Sequence, residues 1–517
     1  MSSDLQNNIN LRDLVCSIRK GGPDDERALF EIDADVADFI RQDLLEKGKF
    51  YNDGQVAYYF NSEDKTLIEI DRSDTELCLV LDEYGLNRSE HIYRYILENL
   101  YSSAFKIGQR IEVHRLAYLK IDTFTLYLFN HGNQIYRVSQ EAIELVDNGT
   151  DGILFISDSK SVPFQINLSN SNGSWLDEII FSKTNLVSDE LSPNERRLIL
   201  VIWFYALFFE NIMPTKPILA FIGERGSGKT TTLRKIGMLL YGERFNVTPL
   251  TNDPKDFDAA VTNSALVVFD NADASFKWLD DKLAIAATGG SVQKRVLYTT
   301  NKLVDYPIRC FIGISSRTPE FRRDDVADRL LIMKVERWVK FVAEKIILSE
   351  VIEHRNEIMS EAVLHIQEIL GALRDYWTEI EAVDFRMADF ARFALILAKY
   401  AGVYPEMEAI FNKLSTEQTD YANEYDPLAE LLSEWVSGDK NAGREVTTNE
   451  LYKELSGCAL KRNEEFSHSF GNVQSFGQRL ANSLTYLKTI FKITKRKGSA
   501  RKIYYSLRLY LRSREGA

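Results

Sequence analysis

Apolar and polar positions alternate through much of residues 49–170, as in Val56-Ala57-Tyr58-Tyr59-Phe60 and Thr125-Leu126-Tyr127-Leu128-Phe129. Turn signals at Asn52-Asp53-Gly54, His131-Gly132-Asn133 and Asn148-Gly149 divide these runs. A period of two with such punctuation predicts a mainly β domain over 49–180, with one helix near Ser89 to Tyr101, behind a partly helical leader over 1–48. The pattern changes at Ser192-Pro193-Asn194-Glu195, a capping box opening the apolar run Leu198 to Phe209. That run is well short of the roughly 20 residues a membrane span needs, so it predicts a buried helix. Apolar strands are then expected at Pro217 to Ile222, Ala265 to Asp270, Ile308 to Ser315 and Leu330 to Met333, with a helix over Thr231 to Leu240. Together they predict an α/β unit over 189–338. Residues 339–437 carry helical periodicity with few breakers, and Gly438-Asp439-Lys440-Asn441-Ala442-Gly443 reads as a linker. Beyond it, over 445–517, the spacing predicts a helix at Thr447 to Ser456, a helix at Ser475 to Ile490 and a hairpin of Lys492 to Thr494 with Lys502 to Leu507.

Composition sharpens this outline in two places. The four cysteines, Cys16, Cys78, Cys310 and Cys458, stand far apart, and the 6 histidines complete no metal pattern around them, so reduced thiols and no structural zinc are expected. The polar start Met1 to Asn10 lacks an apolar signal core, which points to the cytoplasm. The net charge of −13 conceals an uneven distribution. From Lys488 onward the chain carries Lys488, Lys492, Lys495, Arg496, Lys497, Arg501, Lys502, Arg508, Arg512 and Arg514 against the single acid Glu515, the mark of an end that meets nucleic acid.

The chemistry is most explicit at Gly223-Glu224-Arg225-Gly226-Ser227-Gly228-Lys229-Thr230, followed by Thr231, a phosphate-binding loop between a strand and a helix. Its glycines let backbone N–H groups close on a β-phosphate, Lys229 reaches the β and γ oxygens, and the Thr230 hydroxyl is a Mg²⁺ ligand. Asp270, ending its strand, is the expected second member of the Mg²⁺ shell. Asn271 follows, so the water-activating base is left among Asp273, then Glu224, or a slow ATPase that a partner activates. Ser315-Ser316 stands at a strand tip suited to sensing the γ-phosphate, or to capping a helix. Arg329 is the expected arginine directed at a neighbouring subunit's γ-phosphate, with Arg317 and Arg323 as alternates. Between these motifs, Gly289 to Pro307 predicts a β-hairpin whose Lys294, Arg295, Tyr298 and Lys302 suit contact with a single nucleic-acid strand.

In order and spacing the phosphate loop, the Asp-ended strand, the Gly-Gly hairpin, the Ser-ended strand and the trailing Asp328-Arg329 resemble the AAA+ ATPases of the superfamily 3 helicase type, over about Pro217 to Val335. The resemblance implies a homohexameric ring, ATP hydrolysed between subunits, and a pore hairpin gripping DNA. Two positions depart from it: Asn271 replaces an acid, and Ser315-Ser316 replaces a common Asn. The C-terminal pattern resembles a winged helix-turn-helix, with Gln478, Arg479 and Asn482 offered to a groove and Lys495, Arg496, Lys497 and Arg501 along phosphates. The expected fold is thus α/β: an AAA+ P-loop NTPase core with a β-rich N-terminal domain, a helical extension and a C-terminal winged helix. The expected activity is ATP- and Mg²⁺-dependent action on single-stranded or forked DNA as a helicase or replication initiator, with the N-terminal domain left for a protein partner. A nucleotide-driven switch without processive unwinding is the alternative.

Overall fold

The computed structural model describes residues 11–20, 28–156, 161–168, 173–273, 276–295, 303–319, 321–423, 427–438, 440–461, 471–497 and 503–509. Its centre is a parallel five-stranded sheet ordered Thr248–Pro249, Leu266–Asp270, Phe311–Ser316, Ile218–Gly223, Leu330–Val335. Apart from the short edge strand Thr248–Pro249, these strands are mainly apolar because a parallel sheet is covered on both faces. The helix Lys229–Tyr241 packs on the sheet through Leu233, Ile236 and Leu239, each fully buried. Gly313 makes room for it, since a Cβ there would lie 2.8 Å from the Leu233 side chain.

The expected capping box is formed: Ser192 Oγ accepts from Glu195 N, the Glu195 carboxylate accepts from Ser192 N, and the helix Pro193–Ala206 follows. The apolar run continues as the tighter turns of Leu207–Ile212 rather than as α-helix. Trp203 is fully buried and donates its indole N–H to the Pro217 carbonyl at 3.1 Å, fixing the start of the phosphate-loop strand.

The N-terminal part holds two four-stranded sheets, as the alternation predicts. Two expectations need correction. Beside the helix His91–Lys106 there is a second, Thr75–Asp82, capped by Asp74. In addition, the leader helix Leu29–Lys47 is no separate segment, because Ile40 and Leu44 share one core with Leu77, Leu81, Ile96 and Leu100. Nor is the boundary near 180 loose. The Asn211 side chain makes both hydrogen bonds to the Leu119 backbone at 2.9 Å, and the Arg355 guanidinium donates to the carbonyls of Val162, Leu239 and Leu240.

The chain divides into two compact units, residues 1–321 with 328–415, and residues 322–327 with 416–517. In the second, the helices Pro427–Ser437, Thr448–Lys461, Val473–Asn482 and Leu484–Ile490 enclose a sheet ordered Val446–Thr447, Ile503–Leu509, Phe491–Lys497. The helix Pro427–Ser437, expected to close the helical extension, belongs here instead. Its Leu428, Leu432 and Trp435 pack with Leu451, Phe476 and Leu507. The expected linker is correspondingly a turn inside the unit, with Gly443 N donating to Leu507 O at 2.8 Å. The single helix expected over Ser475 to Ile490 is interrupted at Ser483.

Candidate nucleotide site

The phosphate loop has the backbone its glycines predict. Gly226 and Gly228 hold φ of +81° and +83°, the left-handed region that favours glycine. At Gly223 a Cβ would stand 2.0 Å from the Val335 carbonyl oxygen, so the adjoining strand itself excludes any side chain. The helix of 13 residues beginning at Lys229 directs its free N–H groups at the loop. Thr231 lies one residue further, in its first turn.

Around the loop the structure brings together one residue from the start of the helix and two from strand ends. Thr230 Oγ1 donates to Asp270 Oδ1 at 2.5 Å, and Ser315 Oγ donates to the same oxygen while lying 3.3 Å from the Thr230 hydroxyl. Strand order explains the convergence: the Ser-ended strand lies between the phosphate-loop strand and the Asp270 strand, so its tip projects where both can be reached. A hydroxyl and a carboxylate meeting in this way fit a hard divalent cation, which takes oxygen ligands.

Asn271 has φ of +54°, where a short Asn is tolerated far better than a long side chain. Asp is tolerated in that region as well, so the backbone does not explain the departure from an acid. Its N–H donates to Ser315 Oγ at 3.3 Å and its amide to Asp270 Oδ2 at 3.3 Å. Asp273, the first expected base, is occupied as an acceptor. Its Oδ1 receives the Ser316 hydroxyl at 2.7 Å, Arg317 N at 2.6 Å and Thr318 N at 3.1 Å. Burial acts to raise this carboxyl, but those donors and the Arg317 charge outweigh it and hold it below the ordinary range. Ser316 is thereby shown as the support of Asp273, and Ser315 as the residue facing Asp270.

Lys229 folds back over the loop, donating to the carbonyls of Gly223 at 2.7 Å and Glu224 at 2.8 Å, and lies 3.4 Å from Ser227 Oγ. Burial draws its ammonium below the ordinary range, against Asp273 and Asp270, which raise it, while Arg317 adds to the lowering. The exposed Arg317 is therefore within electrostatic reach of Lys229, a proximity that strand topology hides from the sequence. Arg329 is not brought to this site. It is 7% exposed at the opposite end of the sheet, its carbonyl accepting from Ile218 N, so the guanidinium expected to reach outward is packed inward. Arg323 pairs with Asp325 at 2.6 Å.

Among the expected DNA-contacting residues, the central hairpin forms with Ser291–Arg295 antiparallel to Leu303–Pro307. The side chains of Lys294 and Arg295, and all of Tyr298 and Lys302, lie outside the described residues. In the C-terminal unit Gln478 and Arg479 are exposed on the helix Val473–Asn482, and Lys495 and Arg496 are exposed on the hairpin. Arg496 pairs with Glu445 at 2.9 Å and lies over the Tyr504 ring. The Lys497 side chain and Arg501 lie outside the described residues. No helix among the described residues is long and apolar enough to cross a membrane.

Sequence reasoning missed Trp338 and Phe341, which follow the last strand and return to the glycine loop. Trp338 N donates to Gly226 O at 3.2 Å. Nothing local signals this contact, because it depends on where the Leu330–Val335 strand ends.

Solved structures resemble the chain along most of its length. The A-form apo structure of the NrS-1 C-terminal region is 10% identical, with 91% of this chain and 99% of that chain covered and a TM-score of 0.39. The SCCmec type IV Cch active helicase is 14% identical, with 88% and 90% covered and a TM-score of 0.46. No curated protein matches. Residues 190–411 match the family described as the actinomycete integrative conjugative element replication protein, so the span holding the nucleotide site is similar to replication proteins of that family.

Proposed function

We propose that the chain is a DNA-dependent ATPase of the AAA+ superfamily 3 type, a replication helicase or initiator of a mobile element that works as a ring, with a C-terminal winged helix on DNA. The observation that carries the ATPase reading is the convergence of Thr230, Asp270 and Ser315 beneath a glycine loop whose conformation admits phosphate. Lys229 would exchange its carbonyl partners for the β and γ oxygens. Thr230 and Asp270 would hold Mg²⁺, which supplies charge neutralisation at the phosphates. The similarity to replication proteins over 190–411 and the basic hairpins favour DNA as the partner.

The winged-helix reading rests on the order short strand, helix Thr448–Lys461, helices Val473–Asn482 and Leu484–Ile490, then hairpin among the described residues of the C-terminal unit, with Arg479 and Lys495 exposed. With Arg329 buried, the exposed Arg317 becomes the leading candidate for the arginine directed at a neighbouring subunit's γ-phosphate. The nucleotide-switch reading is favoured by one observation: Asp273 is a weakened base already committed to three donors, and Asn271 cannot take a proton. Steady-state ATP hydrolysis with and without single-stranded DNA, beside Lys229→Ala, tests the proposal. Turnover that DNA stimulates, and that Lys229→Ala abolishes, supports it. Turnover surviving Lys229→Ala contradicts it.

A further inference from the structure

The segment after the last core strand lies directly against the phosphate loop. A Cβ on Gly226 would meet the Phe341 ring at 2.9 Å, and one on Gly228 would meet Trp338 Nε1 at 3.1 Å. Phe341 is nevertheless 62% exposed, and beside it Val339 is 95% and Val342 59% exposed. Arg337 lies over the Phe341 ring, 5.7 Å from its centre. An aromatic ring that touches the loop, yet keeps most of its surface in water, leaves a face open to an apolar partner arriving from solvent.

Strand order says which part of a nucleotide that partner is. The phosphate-loop strand has the Ser315 strand on one side and the Leu330–Val335 strand on the other. Asp270, Thr230 and Ser315 gather on the first flank, so the γ-phosphate and its cation face that way. The ribose and base must then leave toward the second flank, where residues 336–341 emerge. Among the described residues, Trp338 and Phe341 are the aromatic side chains that a Cβ on these loop glycines would meet.

We propose that Trp338 and Phe341 form the platform on which the nucleobase stacks, with Arg337 supporting the Phe341 ring. The inference rests on the nucleotide-site reading above. Recognition by stacking is tolerant of base identity because every base has a π-face, so the site takes purine nucleoside triphosphates with little preference between adenine and guanine.

The test compares binding of ATP, GTP and inorganic tripolyphosphate, each with Mg²⁺, to the full chain by calorimetry. Phe341 is exposed, so Phe341→Ala leaves the core intact. The variant is expected to weaken ATP and GTP about tenfold each, the usual scale of one lost stacking contact, and to leave tripolyphosphate within about twofold. Trp338 fluorescence should respond to both nucleotides and not to tripolyphosphate. Equal weakening of all three ligands would overturn the proposal, since the segment would then only shape the loop. Unchanged ATP affinity would overturn it as well, whether or not the oligomer mass changed. Lys229→Ala serves as the separate control: it should weaken all three ligands, and its failure to do so would sink the nucleotide-site reading itself.

Discussion

Replacing Ser315 by alanine removes one oxygen from the centre of the site and tests how the acid is held. Ser315 is 1% exposed, its hydroxyl donates to Asp270 Oδ1, and its oxygen accepts from the Asn271 N–H at 3.3 Å. A hydrogen bond to a charged group is worth about 1.5–3 kcal/mol. With tenfold in rate for each ~1.4 kcal/mol, turnover should fall about 10- to 100-fold if the bond orients Asp270 when charge develops. KM for ATP should change little, because the phosphates are held mainly by loop N–H groups and Lys229. Ser315→Thr keeps the hydroxyl and should recover part of the loss. The assay is steady-state ATP hydrolysis at saturating Mg²⁺ and DNA, beside a melting curve to exclude unfolding. A kcat within twofold of the parent, or a loss confined to KM, would refute the reasoning.

Gly228→Ala should cost about 1–2 kcal/mol from the left-handed backbone alone, with the Trp338 contact adding to it; calorimetric melting and ATP binding should both suffer. Burial holds the Lys235 ammonium at about 8, below its unfolded value of about 10.4, with Lys183 adding to the effect. Between those values the unfolded chain binds more protons, so this group makes stability rise with pH. The parent's melting temperature should therefore gain on that of Lys235→Met between about pH 7.5 and 9.5, and parallel curves would contradict the assignment. Glu445→Gln should release Arg496 and strengthen duplex DNA binding, steepening the slope of log affinity against log salt by about 0.9 in fluorescence anisotropy; an unchanged slope would remove Arg496 from the phosphate contacts.

The phosphate loop, the Asp270 strand and both hairpins were legible because each is a local pattern: glycines at fixed offsets, an apolar run ending in an acid, two alternating stretches around a polar turn. The helix Thr75–Asp82 was not, since Leu77, Leu79 and Leu81 also alternate as a strand does, and only packing with Ile40 and Ile96 decides for helix. Pro427–Ser437 was assigned to the wrong neighbour because an amphipathic helix does not state which core it completes. The left-handed backbone at Asn271 was not legible, because nothing local in the sequence sets its φ. Arg329 looked available from its position before a strand, and the packing around that strand buries it.

The account's central claim is an ATPase whose cycle is coupled to DNA, and ATP turnover with strand displacement on a forked substrate, recorded with oligomer mass, tests it most directly. The account predicts a ring whose turnover rises with single-stranded DNA, strand displacement on the fork, and loss of both in Lys229→Ala. Slow turnover indifferent to DNA, in a ring that forms on nucleotide binding alone and separates no strands, would contradict it.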